Sequence, residues 1–195
     1  MTVARTEPPE TSPWNVPNAL TTVRLVLVPV FAWMLLAHPA EPGWRASTTA
    51  VFALAIATDF VDGYLARKHN LVTAFGKLAD PIADKALTGM AFIGLSILGE
   101  LWWWVTIVIL VREWGITLLR FVMLRYGVMA AGRGGKIKTV LQSVALILYL
   151  LPLPGWAEPI AWVVMAAAFV VTVLTGLDYV REAIQLRRKV DTSTR

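Results

Sequence analysis

Long apolar runs alternate with short polar connections along most of this chain. Six runs approach the roughly 20 residues that a helix needs to cross about 30 Å of hydrocarbon. They cover residues 19–37, 46–65, 82–98, 102–124, 137–153 and 159–180. Helices satisfy their own backbone hydrogen bonds in lipid. The pattern therefore predicts an all-α integral membrane protein, built as one bundle of six transmembrane helices.

The connections between these runs differ sharply in charge. Arg45 is the only Lys or Arg in one set, which also contains Glu41, Glu100 and Glu158. The alternate connections and the C-terminal end are basic, with Arg67, Lys68, Lys77, Arg125, Arg133, Lys136, Lys138, Arg181, Arg187, Arg188 and Lys189. Cytoplasmic loops carry the excess of Lys and Arg. The charges therefore predict a multi-pass protein of the cell (inner) membrane with both termini in the cytoplasm.

The composition supports a lipid environment and narrows the chemistry. Of 195 residues, 57% are hydrophobic and 16% charged, against about a quarter charged in soluble domains. The absence of cysteine excludes disulfides, cysteine-ligated zinc and iron–sulfur clusters. The net charge of +5 and the nine tryptophans fit membrane topology and interfacial belts better than nucleic-acid binding. We expect a disordered polar cytoplasmic segment (1–17), a membrane catalytic domain (18–186) and a loose basic cytoplasmic tail (187–195).

Four aspartates form the most informative pattern. Asp59 and Asp62 are three residues apart and Asp80 and Asp84 four apart, so each pair shares a helix face. Both pairs lie near the cytoplasmic ends of neighbouring predicted helices and could converge. Close carboxylates repel one another unless a cation compensates them, and oxygen ligands without His or Cys favour magnesium or manganese. The alternative is that these aspartates are merely solvated or cap helix ends, with Pro81 at a first helical position.

The residues around the aspartates suit a phosphorylated ligand. Gly63 and Ala66 leave room beside the helix, and the planar fork of Arg67 suits a diphosphate. The pattern of eight fixed positions over 26 residues resembles the signature of the CDP-alcohol phosphotransferase family, with Asp59, Asp62, Gly63, Ala66, Arg67, Gly76, Asp80 and Asp84. The resemblance implies two divalent cations held by the four aspartates, with Asp84 also the general base. It also implies that the CDP-linked lipid is contacted by Pro17, Asn18, Gly63, Ala66, Arg67, Thr73 and Gly76.

Three further stretches of the sequence indicate which alcohol accepts the transferred group. Asn18 to Arg24, Arg112 to Arg120 and Gly135 to Gln142 resemble stretches of bacterial phosphatidylglycerophosphate synthases. The resemblance implies transfer of a phosphatidyl group from CDP-diacylglycerol to glycerol 3-phosphate in phospholipid biosynthesis, by a homodimer in the lipid bilayer. Inositol phosphate or phosphatidylglycerol as acceptor, or a small cation transporter, are the alternatives. The sixth apolar run carries no recognisable motif.

Four cations are the candidate ligands for the acceptor phosphate: Arg112, Arg120, Lys136 and Lys138. A charge inside an apolar helix is costly, so Arg112 and Glu113 require a reason to be there. Adjacent helical residues point about 100° apart, so these two are not expected to pair simply with each other. The alternative for Lys136 and Lys138 is that they are simply part of the basic cytoplasmic connections. The alternative for Arg112 and Arg120 is that they pair with Glu113 inside the protein and hold helices together.

Overall fold

The computed structural model describes residues 16–68, 74–123 and 133–193. Over these ranges the chain forms six α-helices and no strand. They are α1 Val16–Ala37, α2 Pro42–Lys68, α3 Ala74–Ile97, α4 Trp103–Met123, α5 Arg133–Leu150 and α6 Glu158–Ser193, with a 3-10 helix Gly155–Ala157 before α6. The predicted all-α class is confirmed.

Side-chain contacts show how the helices are arranged. Phe31 of α1 stacks near Phe52 of α2, with ring centroids 5.3 Å apart, and Arg24 near the start of α1 pairs with Asp59 near the end of α2. Arg45 near the start of α2 bonds to Glu100, just after α3. The chain therefore turns back between helices. We call the end that holds Asp59 the aspartate end, and the end that holds Arg45 the opposite end.

The interior is apolar through the middle of the bundle. Its buried side chains come from every helix and include Phe31, Leu35, Phe52, Leu87, Phe92, Leu95, Ile109, Leu146, Leu150 and Met165. The outer surface is apolar as well: Trp33, Leu54, Phe121 and Val163 are each more than half exposed. Large apolar side chains on the outside suit lipid as the surrounding solvent.

Two segments of the described chain are by themselves long and apolar enough to cross a membrane. They are Asn18–Ala37, with mean hydropathy 2.0, and Gly155–Arg187, with mean hydropathy 2.3. Only 22% and 28% of these segments is buried, whereas the core helix of a soluble protein is mostly buried. Both segments are candidate membrane spans, which favours a membrane protein. The count of six spanning helices stays a prediction, since α4 carries Arg112, Glu113 and Arg120 within its apolar run.

The helix boundaries differ from the predicted runs at the aspartate end. α2 continues to Lys68 and α3 begins at Ala74, so Pro81 lies inside α3 instead of at its first position. The interpretation of Asp80 and Asp84 as caps at the start of this helix is therefore wrong. α6 continues to Ser193, where the sequence suggested a loose tail. Residues 1–15 of the predicted N-terminal segment lie outside the described residues, and Val16 and Pro17 already belong to α1.

Arg45 explains why a cation is tolerated at the opposite end. Its side chain is buried and binds Glu100 through both terminal nitrogens, at 2.6 and 2.9 Å. It also donates to the carbonyl oxygens of Tyr149 and Leu150, at 2.7 and 3.2 Å. These carbonyls belong to the last turn of α5, which lacks helical donors. Arg45 therefore joins α2, the α3–α4 connection and α5.

Candidate active site

A polar stripe on α1 faces the interior at the aspartate end. Asn18, Thr21 and Arg24 are three residues apart and are all buried, with side-chain exposure of only 1% for Arg24. The same face continues in apolar side chains, Phe31 and Leu35, towards the opposite end. A helix with a 3.6-residue repeat brings these positions onto one side. The stripe therefore presents a buried positive charge to the helices packed on α1.

Asp59 of α2 is the ion-pair partner of Arg24. The Arg24 Nη1 atom donates to Asp59 Oδ1, and 34% of the Asp59 side chain remains exposed. Among the residues of described placement, α1 packs more extensively on both α2 and α3 than these two pack on each other. α1 thus packs on both helices that carry the four candidate aspartates.

Asp84 of α3 belongs to the same charged centre. It is partly buried and lies within electrostatic range of Arg24, Lys85, Lys138 and Glu113. The charge of one buried arginine therefore acts on carboxylates from two different helices, and Asp59 contacts it directly. We call Arg24, Asp59 and Asp84 the acid centre.

The other signature residues have known helical positions. Asp62, Gly63, Ala66 and Arg67 belong to the last turns of α2, and Gly76 and Asp80 to the first turns of α3. Thr73 lies outside the described residues. Within 16–68, 74–123 and 133–193, no group of three or more acidic or histidine side chains of described placement forms a metal cluster. The donor chemistry of Asp59 and Asp84, hard oxygens at the end of a membrane bundle, nevertheless fits magnesium or manganese.

A second charged group lies beside the acid centre. Lys138 of α5 donates to both carboxylate oxygens of Glu113 on α4, each at 2.7 Å. Arg112 Nη1 also donates to Glu113 Oε1, at 3.0 Å. Arg112 and Glu113 thus do pair, but Glu113 also accepts from Lys138, so they are not simply each other's partner, as predicted. We call Arg112, Glu113 and Lys138 the buried ion network.

Arg112 also connects this network to α6. Its Nε donates to the Thr172 carbonyl oxygen at 3.1 Å and its Nη2 to Thr175 Oγ1 at 2.8 Å. A Cβ placed at Gly176 would come 3.0 Å from Arg112 Cγ. A side chain at this position would crowd the arginine, and glycine leaves it room against α6. Gln142 of α5 completes the junction by donating to Thr172 Oγ1 at 2.9 Å.

The network joins two helices whose backbones do not approach each other closely in the described part of the chain. In the described part of the chain α6 packs on both α4 and α5, whereas α4 and α5 do not pack on each other. The Glu113–Lys138 pair bridges this separation directly. Buried charged side chains thus connect α4 and α5.

Arg120 and Lys136, the other two candidate cations, have different surroundings. Arg120 Nη2 donates to the Tyr179 hydroxyl, and its guanidinium carbon lies 4.5 Å from the centroid of the Tyr179 ring. The Arg120 Nε atom is buried without a hydrogen-bond partner among the described groups. Lys136 is exposed, whereas Lys138 and Gln142 are buried. The inward face of α5 is therefore the one that carries Lys138 and Gln142.

Comparison with known proteins decides the family. The profile of the family described as CDP-alcohol phosphatidyltransferase matches residues 14–174. The chain belongs to this family. The resemblance seen in the four-aspartate signature is thereby confirmed, and the protein is a transferase of phospholipid biosynthesis.

Relatives of this phosphatidyltransferase carry closely related names. The chain is 51% identical to a probable phosphatidylglycerophosphate synthase of Mycobacterium tuberculosis, over 88% of this chain and 82% of that protein. It is 39% identical to the CDP-diacylglycerol–glycerol-3-phosphate 3-phosphatidyltransferase of Bacillus subtilis, over 85% and 93%. A Shigella flexneri protein with the same name is 35% identical over 87% and 95%.

Several residues of this phosphatidyltransferase were not found as site residues from sequence. Arg24 was part of a matching stretch, but nothing local showed that it reaches Asp59, which is 35 positions away. Thr172, Thr175 and Tyr179 contact the candidate cations although the sixth run carries no motif. Their spacing of three and four residues places them on one face of an apolar helix. That spacing is the signal that would have found them.

Proposed function

We propose that this protein transfers the phosphatidyl group of CDP-diacylglycerol to glycerol 3-phosphate, forming phosphatidylglycerophosphate and CMP. The observation that carries the proposal is a pair of charged groups that join helices of one bundle: the acid centre through Arg24 and Asp59, and the buried ion network through Lys138 and Glu113. The carboxylates of the acid centre can bind the metal ions of a diphosphate, and the cations of the buried ion network can bind an anionic acceptor. The names of the relatives from Bacillus subtilis and Shigella flexneri support the same reaction.

In this proposal the four aspartates Asp59, Asp62, Asp80 and Asp84 hold two divalent cations, Mg²⁺ or Mn²⁺. Two such ions, when bound, neutralise phosphate charge and stabilise attacking and leaving oxygens. Asp84 accepts the proton from the C1 hydroxyl of glycerol 3-phosphate. The hydroxyl oxygen forms a bond to the phosphorus that carries diacylglycerol, and the bond from that phosphorus to CMP breaks.

The nucleotide-lipid is assigned to the α1–α2–α3 side of the site. We place the CDP moiety against Pro17, Asn18, Gly63, Ala66, Arg67, Thr73 and Gly76. Asn18 is buried on the α1 stripe that also carries Arg24. Arg67 follows Gly63 by four residues in α2, so a diphosphate at this helix end meets a cation. The acyl chains can remain in the bilayer while the head group enters the bundle.

The acceptor is assigned to the α4–α5–α6 side. Arg112, Arg120, Lys136 and Lys138 are the proposed phosphate ligands. Glu113 offsets part of their charge, because Lys138 and Arg112 both donate to it. Arg120 differs, since its Nε is buried and its described hydrogen bond is to a neutral tyrosine hydroxyl. We therefore expect Arg120 to contribute most to binding of the phosphate dianion.

The reaction is tested with purified protein, CDP-diacylglycerol and a panel of acceptor alcohols. We expect CMP release to depend on glycerol 3-phosphate and to be weak with inositol phosphate or phosphatidylglycerol. Release should be measured by chromatography of CMP together with mass spectrometry of the lipid product. Preference for another acceptor would keep the chain in its family but overturn the proposed synthase activity.

We further propose that both chain termini and the aspartate end face the cytoplasm of the cell (inner) membrane and that the protein is a homodimer. The chain contains no cysteine, so single-cysteine variants report topology cleanly. Glu41→Cys and Glu158→Cys, both exposed at the opposite end, should react with an impermeant maleimide in intact cells. Glu182→Cys on α6 should react only after permeabilisation. The reverse labelling pattern would place the active site on the wrong side for CDP-diacylglycerol.

A further inference from the structure

The burial of Arg24 demands a specific partner. A charged group inside a membrane bundle is costly unless it is paired and hydrogen-bonded. Only 1% of the Arg24 side chain is exposed, and it forms an ion pair with Asp59 from α2. Asp84 from α3 lies within its electrostatic range. The guanidinium thus joins α1 to α2 within the acid centre.

We infer that Arg24 is a positioning residue that orients the Asp59 carboxylate for metal binding. Its Nη1 donates to Asp59 Oδ1, which restricts rotation of the carboxylate, while a third of the Asp59 side chain stays exposed to an approaching cation. Partners that hold metal-binding side chains in place commonly control metal affinity. The inference rests on the proposed metal site and adds a residue from α1 to it.

The alternative role for Arg24 is only to neutralise the negative charge of the aspartates in the acid centre. The two roles predict opposite changes in metal affinity when Arg24 is replaced. Removing a positive charge beside carboxylates strengthens cation binding by Coulomb's law. Removing the group that fixes a ligand weakens it, because the ligand must then be ordered by the metal itself. The sign of the change in metal affinity therefore separates the two roles.

The test measures Mn²⁺ binding to purified protein in nanodiscs without substrate, by electron paramagnetic resonance. We expect Arg24→Gln to weaken Mn²⁺ binding by about ten- to a hundredfold. Arg24→Lys keeps the charge but loses the planar fork, so a smaller loss is expected. Tighter binding by Arg24→Gln would overturn the inference in favour of neutralisation, and unchanged binding would overturn it as well.

A double-mutant cycle with Asp59→Asn distinguishes positioning from general damage. If Arg24 acts through Asp59, then Arg24→Gln has little further effect once the carboxylate is gone. An equal loss in both backgrounds would show a merely structural role and overturn the inference. Where Arg24→Gln does not yield folded protein, Arg24→Lys is taken through the same cycle.

Arg45 provides the matched control. It is also a buried arginine, ion-paired to Glu100 and bonded to two carbonyl oxygens, but it lies at the opposite end. Arg45→Gln should lower the unfolding temperature and leave Mn²⁺ affinity unchanged. If the wild-type protein binds no Mn²⁺, both the proposed metal site and the inference about Arg24 are wrong. If Asp59→Asn abolishes Mn²⁺ binding but Arg24→Gln does not weaken it, the metal site stands and only the inference about Arg24 is wrong.

Discussion

Replacing Asp84 by asparagine is expected to lower turnover by at least about a hundredfold, the usual contribution of one general base. The amide keeps the size of the side chain but cannot accept the proton of the acceptor hydroxyl. Asp59→Asn, Asp62→Asn and Asp80→Asn should each cause a comparable loss, because each removes a charged oxygen ligand from the proposed pair of cations. The measurement is CMP release at saturating concentrations of both substrates.

Asp178→Asn is the matched control for these substitutions. Asp178 lies on α6 with 73% of its side chain exposed and pairs loosely with Arg181, at 3.8 Å. Exposed pairs of this kind contribute little to stability, so activity should remain near that of the wild type. EDTA should abolish wild-type turnover, and added Mg²⁺ or Mn²⁺ should restore it. Turnover that survives EDTA would contradict the two-cation proposal.

The helical architecture was predictable because its signal is local. Apolar runs near the length of a membrane span identify helices without knowledge of their neighbours. The ends of α2 and α3 at the aspartate end were harder to predict. Lys68, Ala74 and Lys77 lie in polar stretches that a hydropathy pattern assigns to connections, yet α2 and α3 extend into them. Hydropathy marks the part of a helix suited to lipid, whereas the helix itself continues as far as its backbone hydrogen bonds do.

The site was predictable where its residues follow one another in sequence. The aspartate signature lies within 26 residues and is visible directly. The contacts of Arg24 with Asp59 and of Arg112 with Thr175 join positions 35 and 63 residues apart, and helix packing alone decides them. Arg112 also shows the limit of helical geometry. The 100° between neighbours applies to Cβ directions, and a long side chain can still turn back to Glu113.

The acceptor assignment gives the second large effect. Losing one charged hydrogen bond to a bound phosphate costs roughly 1.5–3 kcal/mol, or about ten- to a hundredfold in affinity. We expect Arg120→Ala to raise the KM for glycerol 3-phosphate by this factor and Lys136→Ala to act in the same direction. The KM for CDP-diacylglycerol should change much less. Arg67→Ala should show the reverse pattern, since its proposed partner is the diphosphate.

Arg120 needs one further control, because it also contacts Tyr179. Tyr179→Phe removes the hydroxyl that accepts from Arg120 Nη2 but keeps the ring beneath the guanidinium. If Arg120 binds the acceptor phosphate, Tyr179→Phe should raise the KM for glycerol 3-phosphate less than Arg120→Ala does. Arg181→Ala, at an exposed arginine of α6, should leave both KM values unchanged. Steady-state kinetics with each substrate varied in turn measures all of these effects. If Arg120→Ala and Arg67→Ala weaken both substrates equally, the division into two pockets is wrong and these arginines hold the helices together.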